Sequence, residues 1–347
     1  MTFLIPLAWA QQADELEDRL KLEIVNVQVG PELVKPLVSG ESAPLLKEMG
    51  DVRKQIEEER GFVLPGVRFH DNLSLKPKEW VIYLRGQEVA RGQVEPKLLL
   101  AAARNPASLR GLPGLPREEK IAGRTAKWIA PAGRARAEKA GCIVLTPELY
   151  IGWYLKNAVI SHAWQVFGRQ EMLVLMPELL ASTFNTDLAA QDRCLEVCEN
   201  LLRERLPLRV KSVAELVLDK SQPRQDADSL TEVARGSIKT WICEEAALPD
   251  TKTIPAVVLS PAWEAKLRAA VHFGPDGLVI RDAFNLEQEL EKPLSAALAK
   301  QPDAVLCVPD DLRLAVRRLS ERQFSDFSVL AQSEIAAGYS AKKVQEI

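Results

Sequence analysis

Histidine and cysteine, the residue types that most often bind metals, are few and scattered in this chain. The three histidines, His70, His162 and His272, are far apart in sequence, whereas a metal site needs clustered ligands. Cys194 and Cys198 are four residues apart, so on a helix they share one face. That spacing is more typical of core thiols than of half a metal site. The sequence therefore predicts no metal centre.

Other patterns that could carry catalysis lack the required spacing. The chain has no Gly-x-Ser-x-Gly elbow, and Ser161 and His162 are helix neighbours whose side chains do not face each other. The stretch 111–116, GLPGLP, has the wrong spacing for a phosphate loop, and its prolines lack amide hydrogens. Asp310 and Asp311 fall at a predicted helix start, where the helix dipole favours acidic residues. We expect no enzyme and no cofactor, and a site built from distant segments is the remaining alternative.

The composition is that of a folded protein without a strong charge bias. A chain of 347 residues is long enough for roughly two to three domains. Hydrophobic residues make up 47% and charged residues 27%, and the net charge of −3 argues against a general polyanion binder. The five cysteines are sparse and odd in number, which fits a reducing cytoplasm.

Hydrophobic periodicity predicts the elements of the first hundred residues. Val25, Val27 and Val29 alternate with polar residues and indicate a strand, and a helix with one apolar face follows and ends at Gly61. Residues 67–94 alternate again between turns. They predict a β-meander with one buried face.

Residues 104–139 carry most of the positive charge that is not balanced locally. Nine basic residues stand against three acidic ones, a local charge of +6, so the rest of the chain carries −9. The segment is either a solvated face or a docking face for an acidic partner. Nucleic-acid binding is a further alternative, although no aromatic–basic RNA-recognition motif is present.

The second half of the chain changes from helical to alternating patterns. Thr146 and Pro147 have the types preferred at a helix start, and Gly168 is expected to interrupt the long helix that follows. Residues 169–245 have helical periodicity throughout. After residue 250, strand-like and helix-like stretches alternate, which predicts a small α/β domain.

Six stretches, in order and at nearly the expected spacing, resemble the cytoplasmic half of the FlhA/SctV (FHIPEP) family, the export-gate proteins of flagellar and injectisome type III secretion. The resemblance covers roughly residues 20–338. The stretches are VRKQIEEERGFVLPGVRFHDNLSLKPKEWVIYLRGQEVARGQV (52–94), KWI (127–129), FGRQE (167–171), ENLLRERLPLR (199–209), DADSLTEVAR (226–235) and FSVLAQSEI (327–335), the last matching the final strand of the family.

The resemblance implies an α+β multidomain fold with four subdomains. They are an α/β first domain, a small inserted α/β domain, an all-helical third domain and an α/β fourth domain. The expected boundaries are 1–20 for an N-terminal arm or linker, 21–97 with 147–166 for the first subdomain, 98–146 for the basic inserted one, 167–246 for the third and 247–347 for the fourth.

The resemblance also implies a function without catalysis. The family's soluble half forms a ring, typically of nine subunits, at the cytoplasmic face of the bacterial inner membrane, where it receives chaperone–cargo complexes. The expected partners are further copies of the chain, export chaperones, secreted substrates and other export-apparatus proteins, with membrane contact only through a missing N-terminal half. Nucleic acid is not expected as a partner. The alternative is a free-standing soluble relative that acts as a regulatory or nucleic-acid-binding protein through the basic segment.

Three positions depart from the flagellar relatives in the cleft that binds chaperones in them. Glu119 stands near the position of their Asp, Ala122 replaces their Phe, and Trp153 replaces a Thr on the following helix. We expect the cleft near Glu119, Ala122, Arg124 and Trp153 to bind chaperone or cargo, although Trp153 could instead belong to the core.

Two further segments are assigned structural roles. The first is a joint at the start of the helical domain, with Arg169 and Glu171 in ion pairs, and it comprises Gly168, Arg169, Gln170 and Glu171. The second is the apolar N-terminal stretch MTFLIPLAWA, which is too short for the ~18–20 residues of a membrane helix. It is expected to pack on a neighbouring subunit, and the alternative is the stub of a membrane segment lost upstream. Its apolar residues are Phe3, Leu4, Ile5, Leu7 and Trp9.

Overall fold

The structure, a computed structural model, describes two compact units. The first comprises the described part of Met1–Glu59 together with Val63–Val166, and the second comprises Arg60–Phe62 and Phe167–Ile347. The described residues are 23–39, 42–121, 123–175, 184, 187–222, 226–249, 251–274, 277–324 and 327–347, and the side chains of 117–121 are excluded. The predicted N-terminal arm lies outside the described residues.

The first sheet of unit 1 has the strand order β2-β1-β3-β4. Strand β2 pairs in parallel with β1, and β3 is antiparallel to both β1 and β4. The predicted meander is therefore wrong, because β2 returns to the edge of the sheet after a helix and never pairs with β3. The strands are β1 (Val25–Val29), β2 (Val67–Asp71), β3 (Glu79–Leu84) and β4 (Gln87–Gln93).

Helices α1 (Pro31–Leu33) and α2 (Pro44–Arg60) connect β1 to β2, and α1 continues as a π-helical turn, Val34–Val38. Such a helical crossover is what parallel pairing of β1 and β2 requires. Gly61 follows α2 with a φ of +74°, which agrees with its predicted place at the helix end.

Strand β3 is buried on both faces rather than on one. Trp80, Val81, Ile82 and Leu84 have no exposed surface. The Trp80 ring lies opposite Gly92 of β4, where an added Cβ atom would be 2.6 Å from Trp80 Cζ2. The absent side chain of Gly92 therefore makes the space that the indole ring fills.

A second antiparallel sheet of unit 1, with the order β6-β7-β5-β8, is covered on both faces. On one face Leu109, Leu112 and Ala137 pack against it, and on the other Trp128 contacts Tyr150. Its strands are β5 (Leu99–Ala103), β6 (Leu115–Ile121), β7 (Arg124–Ile129) and β8 (Ile143–Leu145). The other helical segments of unit 1 are the 3-10 turns Pro106–Leu109 and Pro131–Gly133 and the helices α3 (Arg134–Lys139), α4 (Pro147–Ser161) and α5 (Ala163–Val166).

The long helix predicted from Thr146 ends earlier than expected. Helix α4 stops at Ser161, where His162 has a non-helical ψ of 24°, and the short α5 follows. Gly168 does not interrupt a continuous helix but precedes the first helix of unit 2.

Among the described residues of 169–245, unit 2 has helices and no strand, as predicted, and after them it continues as an α/β part. Its sheet is parallel throughout, with the order β13-β12-β9-β14. The helices are α6 (Arg169–Val174), α7 (Leu188–Arg203), α8 (Val210–Leu218), α9 (Ala227–Ser237), α10 (Lys239–Ala246), α11 (Pro261–Ala270), α12 (Ala283–Lys300) and α13 (Arg313–Ser320). The strands are β9 (Thr253–Val258), the hairpin β10 (Val271–Gly274) and β11 (Gly277–Ile280), β12 (Val305–Val308), β13 (Val329–Ala331) and β14 (Ser340–Glu346). The remaining 3-10 turns are Asp310–Leu312 and Gln332–Glu334.

The stretch FSVLAQSEI, expected to be the final strand, forms β13, but β14 follows it. Strand β14 pairs with β9 at the opposite edge of the sheet and is mostly exposed, which explains why its polar sequence gave no hydrophobic signal. The mixture of helices and sheets confirms the α+β multidomain class. The boundaries of the four subdomains stay a prediction. Among the described residues, no helix has both the length and the apolar character needed to cross a membrane.

The fit of Trp80 against Gly92 predicts that a single methyl group at position 92 is destabilising. Gly92→Ala places a Cβ inside the indole ring's contact distance, and we expect the free energy of unfolding to fall by about 1–3 kcal/mol. Urea unfolding measures the change.

Gly50→Ala is the matched control, because Gly50 lies in α2 with no atom within 4 Å of its added Cβ. There alanine is expected to raise the free energy of unfolding by about 0.5–1 kcal/mol. Equal effects of the two substitutions would contradict the proposed fit of Trp80.

Candidate docking site

The four residues predicted to line a cleft are only partly described. Glu119 belongs to β6 by its backbone, but its side chain and all of Ala122 lie outside the described residues. Arg124 opens β7, and Trp153 lies in α4, and both are half-buried. Whether the four form one cleft stays a prediction.

Strand register nevertheless places Arg124 on a definite side of the second sheet. Side chains alternate along a strand, so Arg124 shares a face with Trp128, four residues on. Trp128 lies 5.9 Å from Tyr150 of α4, measured between ring centroids. Arg124 is therefore on the side of the sheet that faces α4, the helix that carries Trp153.

Trp153 is the outer member of a cluster of aromatic rings. Its ring is perpendicular to that of Tyr154 at 4.9 Å, and Tyr154 in turn contacts Trp80 at 5.0 Å and Tyr150 at 4.9 Å. Edge-to-face contacts of this kind stabilise aromatic clusters beyond area burial. Trp153 therefore packs on the core with part of its surface and leaves part accessible.

The predicted joint at residues 168–171 begins α6. The Gly168 N–H donates to Glu171 Oε2 at 2.9 Å, which caps the helix with the side chain of its third residue. Arg169 forms an ion pair with Asp192 and donates from Nη1 to Gln191 Oε1 at 2.8 Å. Its side chain thereby connects α6 to α7. Gln170 is exposed.

The strongest electrostatic feature of unit 2 is a buried network that the sequence analysis missed. Arg313, with no exposed surface, donates from Nη1 to both oxygens of Glu204 at 3.0 and 2.8 Å. Its Nε donates to Glu232 Oε2 at 2.6 Å, and its Nη2 binds the other oxygen. One guanidinium of α13 thus holds carboxylates from two other segments of the chain.

Arg235 of α9 binds Glu334 of the α/β part and also binds Glu204. It donates to the two oxygens of Glu334 at 2.7 and 2.9 Å and to Glu204 Oε2 at 2.7 Å. Arg317 is also buried, and it donates to the Phe327 carbonyl at 3.0 Å and to the Arg203 carbonyl at 3.1 Å. Three arginines and three glutamates therefore balance their charges inside unit 2.

Burial and neighbouring charges shift the pKa of several groups in the network. Burial alone would raise the pKa of Glu204, but attraction to Arg235, Arg313 and Arg317 outweighs it and holds that pKa below its usual value. Burial raises the pKa of Glu232, and the attraction of Arg313 only partly offsets this. Burial lowers the pKa of Arg317, which has only carbonyl partners.

These carboxylates are occupied by guanidinium groups, so the network holds segments together rather than offering a free acid or base. It joins α7 and α9 to α13 and to the turn Gln332–Glu334. One signal could have indicated it: Arg313 and Arg317 recur four residues apart in α13, beside the buried Val316. Among the described residues, no group of three His, Cys, Asp or Glu side chains could hold a metal ion.

This multidomain arrangement, with one mixed and one antiparallel sheet in unit 1 and a helical part before a parallel sheet in unit 2, is the fold of several solved cytoplasmic domains. The Chlamydia pneumoniae CdsV protein superimposes with a TM-score of 0.79 at 20% identity, covering 94% of this chain and 98% of that one. The nonameric SctV-C of EPEC superimposes with a TM-score of 0.70 at 16% identity, covering 94% of this chain and 98% of that one. The Shigella flexneri MxiA protein superimposes with a TM-score of 0.65 at 18% identity, covering 93% of this chain and 98% of that one.

The sequence itself matches the FHIPEP family model over residues 7–340, so the chain belongs to the FHIPEP family. The flagellar biosynthesis protein FlhA of Bacillus subtilis is 25% identical over 94% of this chain and 49% of its own length. FlhA of Proteus mirabilis is 28% identical over 93% of this chain and 46% of its own length. The low calcium response locus protein D of Yersinia pestis is 25% identical over 85% of this chain and 43% of its own length. The chain thus spans about half the length of these relatives.

The network predicts a large effect of neutralising one buried carboxylate. In Glu204→Gln, Arg235 and Arg313 lose a shared counter-charge, and we expect the free energy of unfolding at pH 7 to fall by about 3–5 kcal/mol. Because the folded pKa of Glu204 is lowered, its stabilising contribution is complete above 4.5, the unfolded value, and is lost as the pH falls through the folded pKa. The difference from wild type should therefore shrink in acid.

The control is Glu264→Gln, which removes a half-buried partner of the exposed Arg268 in the same unit. That change should cost less than about 1 kcal/mol. Urea titrations at several pH values compare the two, and a Glu204→Gln loss no larger than that of the control would contradict the role of the network.

Proposed function

We propose that the chain is the ring-forming cytoplasmic docking platform of a type III export gate, flagellar or injectisome. Membership of the FHIPEP family carries this proposal. Relatives from both kinds of system support it, since the matches include flagellar FlhA proteins and a low calcium response protein. Its place would be the cytoplasmic face of the inner membrane.

A ring of identical subunits is the proposed assembly. Two solved neighbours with the same fold are described as nonameric, namely EPEC SctV-C and the EscV cytosolic domain of a type III secretion system. CdsV is described in a complex with CdsO, which supports other export-apparatus proteins as partners of this chain.

The proposal assigns binding rather than catalysis to the chain. All five thiols are buried, and burial raises the pKa of Cys142 and of Cys307, so these thiols resist ionisation. Within the described part of unit 2, the buried glutamates are paired with arginines. These arrangements favour a structural rather than a catalytic role for the cysteines and the buried glutamates.

Chaperone–cargo complexes are proposed to dock beside α4, where Arg124 and Trp153 lie on the same side of the second sheet. Trp153 offers part of an aromatic ring, and Arg124 offers a half-buried cation on the side of the second sheet that faces the same helix. An aromatic anchor beside an arginine is the composition typical of binding hot spots.

Trp153→Ala and Arg124→Glu test this docking site. Each is expected to weaken binding of a chaperone–cargo complex from the same host by about tenfold or more, because hot-spot truncations cost about 2 kcal/mol or more. Titration calorimetry measures the affinity, and mass photometry of the same samples reports whether the binding species is a single subunit or a ring.

Phe284→Ala and Arg281→Glu are the matched controls, because both residues are exposed and lie in unit 2. They should leave the affinity unchanged. Wild-type affinity in both test variants would remove the site beside α4, whereas a wild-type chain that binds no such complex would contradict the proposed function itself.

A further inference from the structure

The side of the second sheet that faces away from α4 carries its own covering layer. Leu109 and Leu112, from the 3-10 turn and the residues after it, pack on Ala101 and Ala103 of β5, and Ala137 of α3 packs on the same cluster. The turn and α3 therefore lie side by side over one sheet face.

A close approach confirms that the two segments touch. The Nη2 atom of Arg136 is 3.4 Å from the position that a Cβ atom would take on Gly111. Residues that point outward from the turn and from α3 consequently form one continuous surface.

That surface is strongly cationic, and we call it the basic face. Glu138 pairs with Arg134 at 2.8 Å, and both side chains are about half exposed. No carboxylate among the described residues pairs with the other three cations, so four basic residues and one acidic residue leave a charge of +3. The basic face consists of the exposed residues Arg110, Arg134, Arg136 and Lys139.

The structure separates the basic face from the proposed docking site beside α4. Lys127 points to the layer of the basic face and donates to the Leu112 carbonyl at 2.9 Å, whereas Trp128, the next residue of β7, contacts Tyr150. Arg124 shares the Trp128 side. The positive segment recognised in the sequence is thus divided between two opposite sides of the sheet.

We propose that the basic face is a second docking surface, which binds the acidic surface of a partner protein. Three of its four cations are arginines, whose planar donor groups match carboxylates in two-point contacts. Small exposed residues lie between them, so the guanidinium groups project beyond their neighbours; these are Ala107, Ala132, Ala135 and Ala140.

The composition of the face favours protein over the other polyanions. The segments 104–112 and 130–141 contain no aromatic residue. Single-stranded nucleic acids are held partly by stacking on aromatic rings, which this face lacks. Duplex DNA and anionic membranes attract basic proteins through charge, and the net charge of this chain is −3. Carboxylates need no aromatic ring, and opposed charges raise the association rate and orient the partner. The inference goes beyond the proposed function, because it depends on neither the ring nor the site beside α4.

Fluorescence anisotropy with a labelled poly-L-glutamate of about 20 residues tests the basic face at about 25–200 mM salt. Relative to wild type, the triple variant Arg110→Ala, Arg136→Ala, Lys139→Ala should bind about tenfold or more weakly, with a smaller salt dependence. All three side chains are exposed, so the melting temperature is expected to stay unchanged.

The matched control removes three exposed lysines of unit 2, Lys220→Ala, Lys239→Ala and Lys300→Ala, with the same change in net charge. Its affinity for the peptide should stay within about twofold of wild type. Equal losses in both triple variants would overturn the proposal. So would a triple variant of the basic face that keeps peptide binding but loses binding to duplex DNA or to vesicles with phosphatidylserine.

Discussion

The guanidinium of Arg313 is the group on which the organisation of unit 2 depends. It comes from the α/β part and is neutralised by Glu204 and Glu232 of the helical part, while Arg235 of the helical part binds Glu334 in return. Buried charges are costly to desolvate, so each remains only while its partners keep their geometry. The reciprocal pairing makes the two parts mutually dependent and explains why residues with very different secondary structure form one compact unit. Electrostatics here fixes how the two parts of unit 2 pack on each other.

In unit 1 the corresponding constraint is apolar. Trp80 of the first sheet and Trp128 of the second both contact Tyr150 of α4, so one helix holds the two sheets through a single aromatic cluster. The aromatic cluster covers one side of the second sheet. Among the described residues, the opposite side is covered by short helical segments that contribute few large apolar side chains. That asymmetry gives the second sheet two chemically different surfaces, one partly aromatic and the other cationic. If both proposed docking sites are functional, their separation lets two partners bind without competition.

Local patterns predicted the elements well, and long-range pairing poorly. Val25, Val27 and Val29, which alternate with polar residues in the sequence, are the buried residues of β1. Gly61 follows the end of α2, as predicted. The parallel pairing of β2 with β1 could not be predicted from alternation, because periodicity specifies a strand but not its neighbour. Strand β14 was missed because an edge strand with an exposed face needs no apolar alternation. The arginine network was missed for a related reason: its six members come from four segments, and each glutamate alone resembles an ordinary surface residue.

The central claim is that this member of the FHIPEP family belongs to an apparatus that exports proteins. Its most direct test is to delete the gene in the native host and quantify by mass spectrometry the proteins released into the medium and those retained in the cells. The account predicts that a defined set of secreted proteins disappears from the medium, remains detectable in the cells, and returns to the medium when the intact gene is restored. Unchanged release of all secreted proteins, under conditions in which the gene is expressed in the parent strain, would contradict it.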